Sequence, residues 1–150
     1  MLLYFAGPLF NVAELNFNES LTSQIEALGY QVFLPQRDGD KVNHEPYISM
    51  EAGLRARAIF DLDRVHLIES DIFLYILDGR IPDEGAALAL GIVHTHKALV
   101  KKDRRLVGLH TDKRAAFINE KLNPMIYSSL DYIADSVEDL LSYLSEVRGK

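Results

Sequence analysis

The sequence predicts an α/β sandwich built around a parallel sheet, and three observations carry that prediction. Short continuous apolar runs recur along the chain, as strands covered on both faces require. Amphipathic segments of helical length separate them, several opened by capping residues. Glycine and proline stand at the junctions. A strand–helix alternation at this spacing builds crossovers that lay helices on a parallel sheet.

Leu2–Ala6 is the first apolar run, stopped by Gly7-Pro8. Asn11, with Glu14 three residues on, predicts a capped helix to about Leu28, where Gly29 supplies the stop. Tyr30–Leu34 reads as the second strand, ended by Pro35. The polar stretch Gln36–Pro46, carrying Arg37, Asp38, Gly39 and Asp40, is expected as a connector of a length often kept for function. A long helix is expected from about Ile48 to Glu69, with Ile59, Leu62 and Val65 on one face and Met50 and Leu54 nearby.

Asp71–Leu77 is the clearest central strand and empties into Asp78-Gly79-Arg80-Ile81-Pro82-Asp83-Glu84-Gly85. A helix from Ala86 to about Lys101 and a fourth strand, Arg105–Leu109, follow. Asn123-Pro124 reads as an N-cap with proline at the first helical position. Ser136 with Asp139 caps a last helix through Leu140, Leu141 and Leu144.

At 150 residues and 17.0 kDa, without repeats or linkers, residues 1–150 fit a single domain with a real core. The formal charge of −6 and pI near 5.3 argue against a nucleic-acid polymer as partner, which needs clustered Lys and Arg. A small anion stays possible, because helix N-termini hold one without net positive charge. Zero cysteines exclude disulfides, thiolate catalysis and cysteine metal sites. MLLYFAGPLF lacks the features of a signal peptide, and no apolar run reaches the length of a membrane span. The expectation is a soluble cytoplasmic domain that uses no membrane.

In such a sheet, ligands bind beyond the carboxyl ends of the strands, near a switch point. Three loops qualify: Gly7–Asn11, Pro35–Asp40 and Asp78–Gly85. Each feature also has a plain structural reading. Asp83 and Glu84 could merely complement a helix dipole, Gly7-Pro8 could be a tight turn, Tyr4 could be core, and Asp61 and Asp63 a solvated face. His94 and His96, two apart on a helix, make a poor chelate, and no metal site is expected.

Together the pieces are more specific. Tyr4-Phe5-Ala6-Gly7-Pro8-Leu9-Phe10-Asn11 with Glu14, Phe33-Leu34-Pro35-Gln36-Arg37-Asp38, Asp78 to Gly85, Leu109-His110-Thr111-Asp112-Lys113-Arg114 and Leu122-Asn123-Pro124-Met125 occur in that order. Over nearly its whole length the chain resembles the nucleoside 2-deoxyribosyltransferase family, which includes 2'-deoxynucleoside 5'-monophosphate N-glycosidases. The resemblance implies a flavodoxin-like doubly wound parallel sheet in a three-layer sandwich. It implies cleavage of the bond between deoxyribose C1' and a base through a covalent deoxyribosyl-enzyme on a glutamate, followed by transfer to a second base or to water. No cofactor is implied. The partners would be a deoxynucleoside or deoxynucleotide and a free nucleobase.

By position, Asp83 matches the carboxylate that orients sugar and nucleophile, and Asp63 the one that contacts the base and can protonate it as it leaves. Tyr4 matches a tyrosine that hydrogen-bonds the glutamate, and Phe10 a residue packing near the nucleoside. Gln36, Arg37 and Asp38 lie where the family contacts the base, while Gly7, Pro8 and Gly85 belong to the substrate loops. Asn123 matches a residue donated to a neighbouring subunit's pocket, implying a homo-oligomer. One position departs: the nucleophile is expected six residues after Asp83, and Ala89 stands there. Three accounts stay open: an engineered Glu→Ala exchange, a natural loss leaving a nucleoside- or nucleotide-binding protein, or a relocated nucleophile, with Glu84 the nearest carboxylate. A flavin-binding protein of the same fold is the alternative of another class.

Overall fold

The computed structural model describes residues 1–39, 44–79, 81–112 and 122–149. Strand β1 (Leu2–Ala6) lies between β2 (Gln31–Phe33) and β3 (Ile72–Ile76), and β4 (Arg105–Leu109) and β5 (Tyr132–Ala134) extend the sheet beyond β3. Every neighbouring pair is parallel, in the order β2-β1-β3-β4-β5. This is the doubly wound α/β sheet that the resemblance implied. Leu3 and Phe5 join Leu21 and Ile25 of α1 (Val12–Ala27) and Leu140 and Leu144 of α6 (Val137–Arg148) in one core. Tyr4 and Ala6 join Leu67 of α3 (Ala52–Glu69) and Ala86, Ala89, Leu90 and Val93 of α4 (Glu84–Leu99) in the other. The two-residue period of the strand divides β1 between these layers.

The caps fall where the sequence places them. Asn11 accepts from the amides of Ala13 and Glu14 while Glu14 reaches back to the Asn11 amide, closing the capping box of α1. Gly29 adopts a φ of 87°, the left-handed residue that ends α1. Asn123 caps α5 (Pro124–Ser129) through the Met125 amide, with Pro124 in its first turn. Ser136 caps α6 through the Asp139 amide.

Four expectations need correction. Pro35–Asp38, read as the start of a loop, is a one-turn helix, α2. Its proline sits in the first turn, and the Asp38 carboxylate accepts from the Leu34 amide at 2.9 Å. The long helix begins at Ala52 rather than Ile48, because Glu51 caps it through the Gly53 and Leu54 amides, and Tyr47–Ser49 forms a separate 3₁₀ turn. On that helix Val65 and Leu54 are exposed rather than core, and among its residues only Leu67 is fully buried. Strand β5 was not anticipated. It is three residues long, and its start is tied by the Asp131 carboxylate, which accepts from the Leu106 amide at 2.7 Å and pairs with Lys97.

At the amino edge of the sheet Arg104 is fully buried. Its guanidinium donates to the carbonyls of Ser70 (2.9 Å) and Ile68, at the carboxyl end of α3. At the opposite edge Gly7 leaves β1 so close to β3 that a Cβ there would lie 2.7 Å from Ile76 Cβ. Gly7→Ala is therefore expected to destabilise the protein by about 1–3 kcal/mol, as overpacking against a strand does. Urea unfolding measures it, and a loss below a few tenths of a kcal/mol would show that the turn moves freely.

Candidate active site

At the carboxyl ends of β1 and β3, where chain connections depart to opposite faces, a cavity of about 330 Å³ opens on the α3–α4 side. Its size suits a small organic ligand. Strand β1 supplies Tyr4 and Ala6, and the turn after it Gly7 and Leu9. Helix α3 supplies Ala56, Ile59, Phe60, Asp63 and Arg64; the start of α4 supplies Asp83, Gly85, Ala86, Leu88, Ala89 and Ile92. Small residues on β1 and α4 keep the cavity open between the two helices.

Tyr4 is held by its ring. Phe33 stacks on one side with centroids 5.3 Å apart and Phe73 on the other at 6.1 Å, while His66 stacks on Phe33 at 4.0 Å. The Tyr4 hydroxyl donates to the Asp63 carboxylate. Burial first, then the Asp63 charge and this hydrogen bond, push the Tyr4 hydroxyl far above the ordinary tyrosine range, so it stays a donor at any physiological pH. Tyr75 beneath it is also raised, by burial and by the charges of Asp83 and Glu84, and its hydroxyl donates to the Asp83 carbonyl at 2.6 Å.

Asp83 caps α4: its Oδ2 accepts from the Ala86 amide at 2.8 Å. The carboxylate thereby answers both the helix dipole and an unsatisfied amide. Ala89, one turn further, is 8 % exposed and contributes only a methyl group to the wall. Arg64 also lines the cavity. It lies 3.5 Å from Asp61, which Arg57 already binds at 2.8 Å. Two carboxylates, a phenol and a guanidinium around an otherwise apolar hollow can orient a ring-bearing polar molecule and exchange protons with it. On the far side of the sheet, Asp78 ties the loop after β4 to that after β3, accepting from the Thr111 amide (2.6 Å), the Thr111 hydroxyl (2.5 Å) and the Asp112 amide (2.9 Å).

Of the residues singled out in the sequence, Tyr4, Gly7, Asp63, Asp83, Gly85 and Ala89 meet in this cavity. Pro35, which opens the second candidate loop, lines it as well, and the other candidate site residues do not. Pro8 borders a separate hollow with Asn18 and Asp78, and Phe10 is 77 % exposed. Gln36 bridges the Leu15 carbonyl and the Asn18 side chain, both at 3.0 Å. Arg37 joins Asp38 and Glu26, both at 2.9 Å, and the Val32 carbonyl at 2.8 Å. Asn123 is exposed and caps its own helix. Glu84 is exposed and outside the cavity wall. Arg80, Lys113 and Arg114 lie outside the described residues, as do 40–43 of the expected base-contacting loop. Arg64, Phe60 and Leu9 were missed. Arg64 adjoins Asp63 in sequence, and an arginine beside a candidate carboxylate was the available signal. Among the described residues no group of three or more His, Asp or Glu is placed to hold a metal ion, and no helix is long and apolar enough to cross a membrane.

A family model described as nucleoside 2-deoxyribosyltransferase matches residues 3–127. The fold is similar to that of a conserved protein from Enterococcus faecalis V583, with a TM-score of 0.78 and 26% identity over 97% of this chain and 98% of that one. It is also similar to that of a 2-deoxyribosyltransferase from the psychrotolerant bacterium Bacillus psychrosaccharolyticus, with a TM-score of 0.75 and 22% identity over 95% of this chain and 92% of that one. No curated protein shows significant sequence similarity to this chain.

The two roles of Asp83, cap and cavity wall, separate by substitution. Asp83→Asn keeps a capping oxygen and should leave the melting temperature within about 2 °C, whereas Asp83→Ala should cost about 1 kcal/mol. Calorimetry of the unliganded variants reads both. Equal losses would mean that the charge, not the cap, holds α4.

Proposed function

Because this chain belongs to the nucleoside 2-deoxyribosyltransferase family, we propose that its cavity holds a 2'-deoxynucleoside with the sugar C1' turned toward Ala89. The observation that carries the reading is the convergence of Tyr4, Asp63, Asp83 and Ala89, from three separate elements, on one cavity. Asp83 orients the sugar, Asp63 meets the base, and Tyr4 stands where a nucleophilic carboxylate on α4 would need a donor. At Ala89 there is no lone pair to attack C1', so a deoxyribosyl-enzyme cannot form at that position. Glu84 points to no substitute, because it is not part of the cavity wall. As it stands the chain binds deoxynucleoside and does not exchange its base through a covalent sugar.

A second copy completes the site in this reading. Asn123 does not line the cavity of its own chain, and two exposed apolar side chains, Phe60 and Leu88, stand in the cavity wall. A neighbour that covered them would bring its Asn123 to the nucleoside, as the resemblance implies. In this reading the chain works in nucleotide salvage in the cytoplasm.

The test is chromatography of free base after incubating deoxynucleosides with a second base and either this chain or Ala89→Glu. The variant should raise base exchange by several orders of magnitude, the scale on which nucleophile removal acts. If Ala89→Glu releases and exchanges no base, the glycosyl-transfer reading of the cavity is wrong. A 5'-monophosphate as preferred substrate is favoured by one observation, the presence of Arg64 in the cavity lining. In the Ala89→Glu background, Arg64→Gln should then raise KM for the monophosphate by about tenfold, one charge-assisted hydrogen bond, with little effect on the nucleoside. Equal effects on both would assign Arg64 to the base instead.

A further inference from the structure

Tyr75 of β3 is fully buried and is not part of the cavity wall. In the sheet it pairs with Ala6 on one side and Gly108 on the other, small neighbours that leave room for its ring beside Phe73, edge-on at 6.2 Å. A phenylalanine would fill the same space, so what the hydroxyl adds is the bond it makes. It donates to the Asp83 carbonyl at 2.6 Å. Burial, and after it the charges of Asp83 and Glu84, hold the phenol in its protonated, donating form. The same carbonyl accepts the first intrahelical bond of α4, from the Ala87 amide at 2.9 Å, so both of its lone pairs are engaged. The bonds from the Ala86 and Ala87 amides lie within α4 and travel with it, whereas the bond from Tyr75 ties Asp83 to the sheet.

We propose that Tyr75 is a positioning residue for this site: by holding the Asp83 carbonyl to β3, its buried hydroxyl sets where the Asp83 carboxylate stands in the cavity. Asp83 is the N-cap of α4 and its Oδ2 is engaged by the Ala86 amide, so the carboxylate follows the place of that first turn. Ala89 lies on the same helix and shares the same reference to the sheet. Tyr75 touches no ligand and acts through Asp83. The consequence for binding rests on the nucleoside reading given above, in which Asp83 orients the sugar. Without the phenol hydroxyl the hold on deoxyribose loosens, while Asp63, which comes from α3, keeps its place.

The experiment compares the unchanged chain with Tyr75→Phe, which keeps the ring, and with Tyr30→Phe. The second removes a like bond in the other core, from the Tyr30 hydroxyl to the Leu144 carbonyl at 2.7 Å. Amide hydrogen exchange followed by NMR reads the first turn of α4 without any ligand. Tyr75→Phe should speed exchange at Ala86 and Ala87 about fivefold to tenfold beyond its effect at Val93 of the same helix, the loss of one hydrogen bond, and Tyr30→Phe should not. Calorimetric titration with 2'-deoxyadenosine and 2'-deoxycytidine reads the site. Tyr75→Phe should raise Kd by about the same factor, and Tyr30→Phe should leave it within about twofold. In an Asp83→Ala background Tyr75→Phe should change Kd by less than about twofold, because its route to the ligand is gone. Exchange at Ala86 and Ala87 that rises no more than at Val93 overturns the proposal. So does an unaltered Kd in Tyr75→Phe where Asp83→Ala weakens binding, or an undiminished effect of Tyr75→Phe in the Asp83→Ala background. If exchange responds as expected while the unchanged chain binds neither nucleoside, or Asp83→Ala binds them equally well, the nucleoside reading falls and the positioning of Asp83 by Tyr75 stands.

Discussion

The parallel pairing of β1 with both β2 and β3 is the constraint on which the rest of the molecule depends. β1 is paired along both edges and packed by helices on both faces, and its residues are shared between two cores by the strand period. Leu3 and Phe5 go to the α1–α6 layer, Tyr4 and Ala6 to the α3–α4 layer. A slip of one residue in this register would exchange the two sets and carry the Tyr4 hydroxyl to the wrong side of the sheet. The pairing of Tyr4 with Phe33 and Phe73 across the ladder makes such a slip costly, because both aromatic contacts would be lost together.

The same pairing sets the position of the cavity. Because β2 and β3 flank β1, the chain leaving β1 and the chain leaving β3 separate at their carboxyl ends and leave a crevice between them. Gly7 allows β1 to end against Ile76 without a side chain between the strands. On the floor of the crevice, α4 starts with Gly85, Ala86 and Ala89, which are too small to fill it. The chemistry is then added from outside the sheet. Asp63 comes from α3 and Asp83 from the cap of α4, and neither is held by hydrophobic packing. The polar groups of the site thus sit on helix ends and faces, while the sheet supplies the rigid platform and one phenol.

Much of this was legible in the chain. Helix caps are local, so Asn11–Glu14, Asn123–Pro124 and Ser136–Asp139 disclosed helix starts from a few residues alone. Buried parallel strands carry continuous apolar runs, so β1, β3 and β4 stood out. Strand β5 did not, since Tyr132–Ala134 is short, flanked by aspartates, and exists because β4 pairs with it. Nor did the exposure of Val65 and Leu54, because helical periodicity reports an apolar face without saying whether anything covers it. In the site, the Asp78–Gly85 block and the alanine at 89 could be read directly. The Gln36–Asp38 segment could not, because its side chains are engaged with α1 and with one another.

What the sequence alone determined is the alternation of strands and helices, the caps, and the residue types at each position, including the alanine at 89. These are local properties, set by backbone sterics and by the spacing of apolar residues. Only the tertiary structure decided that Tyr4, Asp63, Asp83 and Ala89 share one cavity, that Tyr4 donates to Asp63, and that Arg64 joins the cavity lining. Those facts depend on which strands pair and which helix faces meet, and pairing is a contest among long-range contacts that no window of sequence contains.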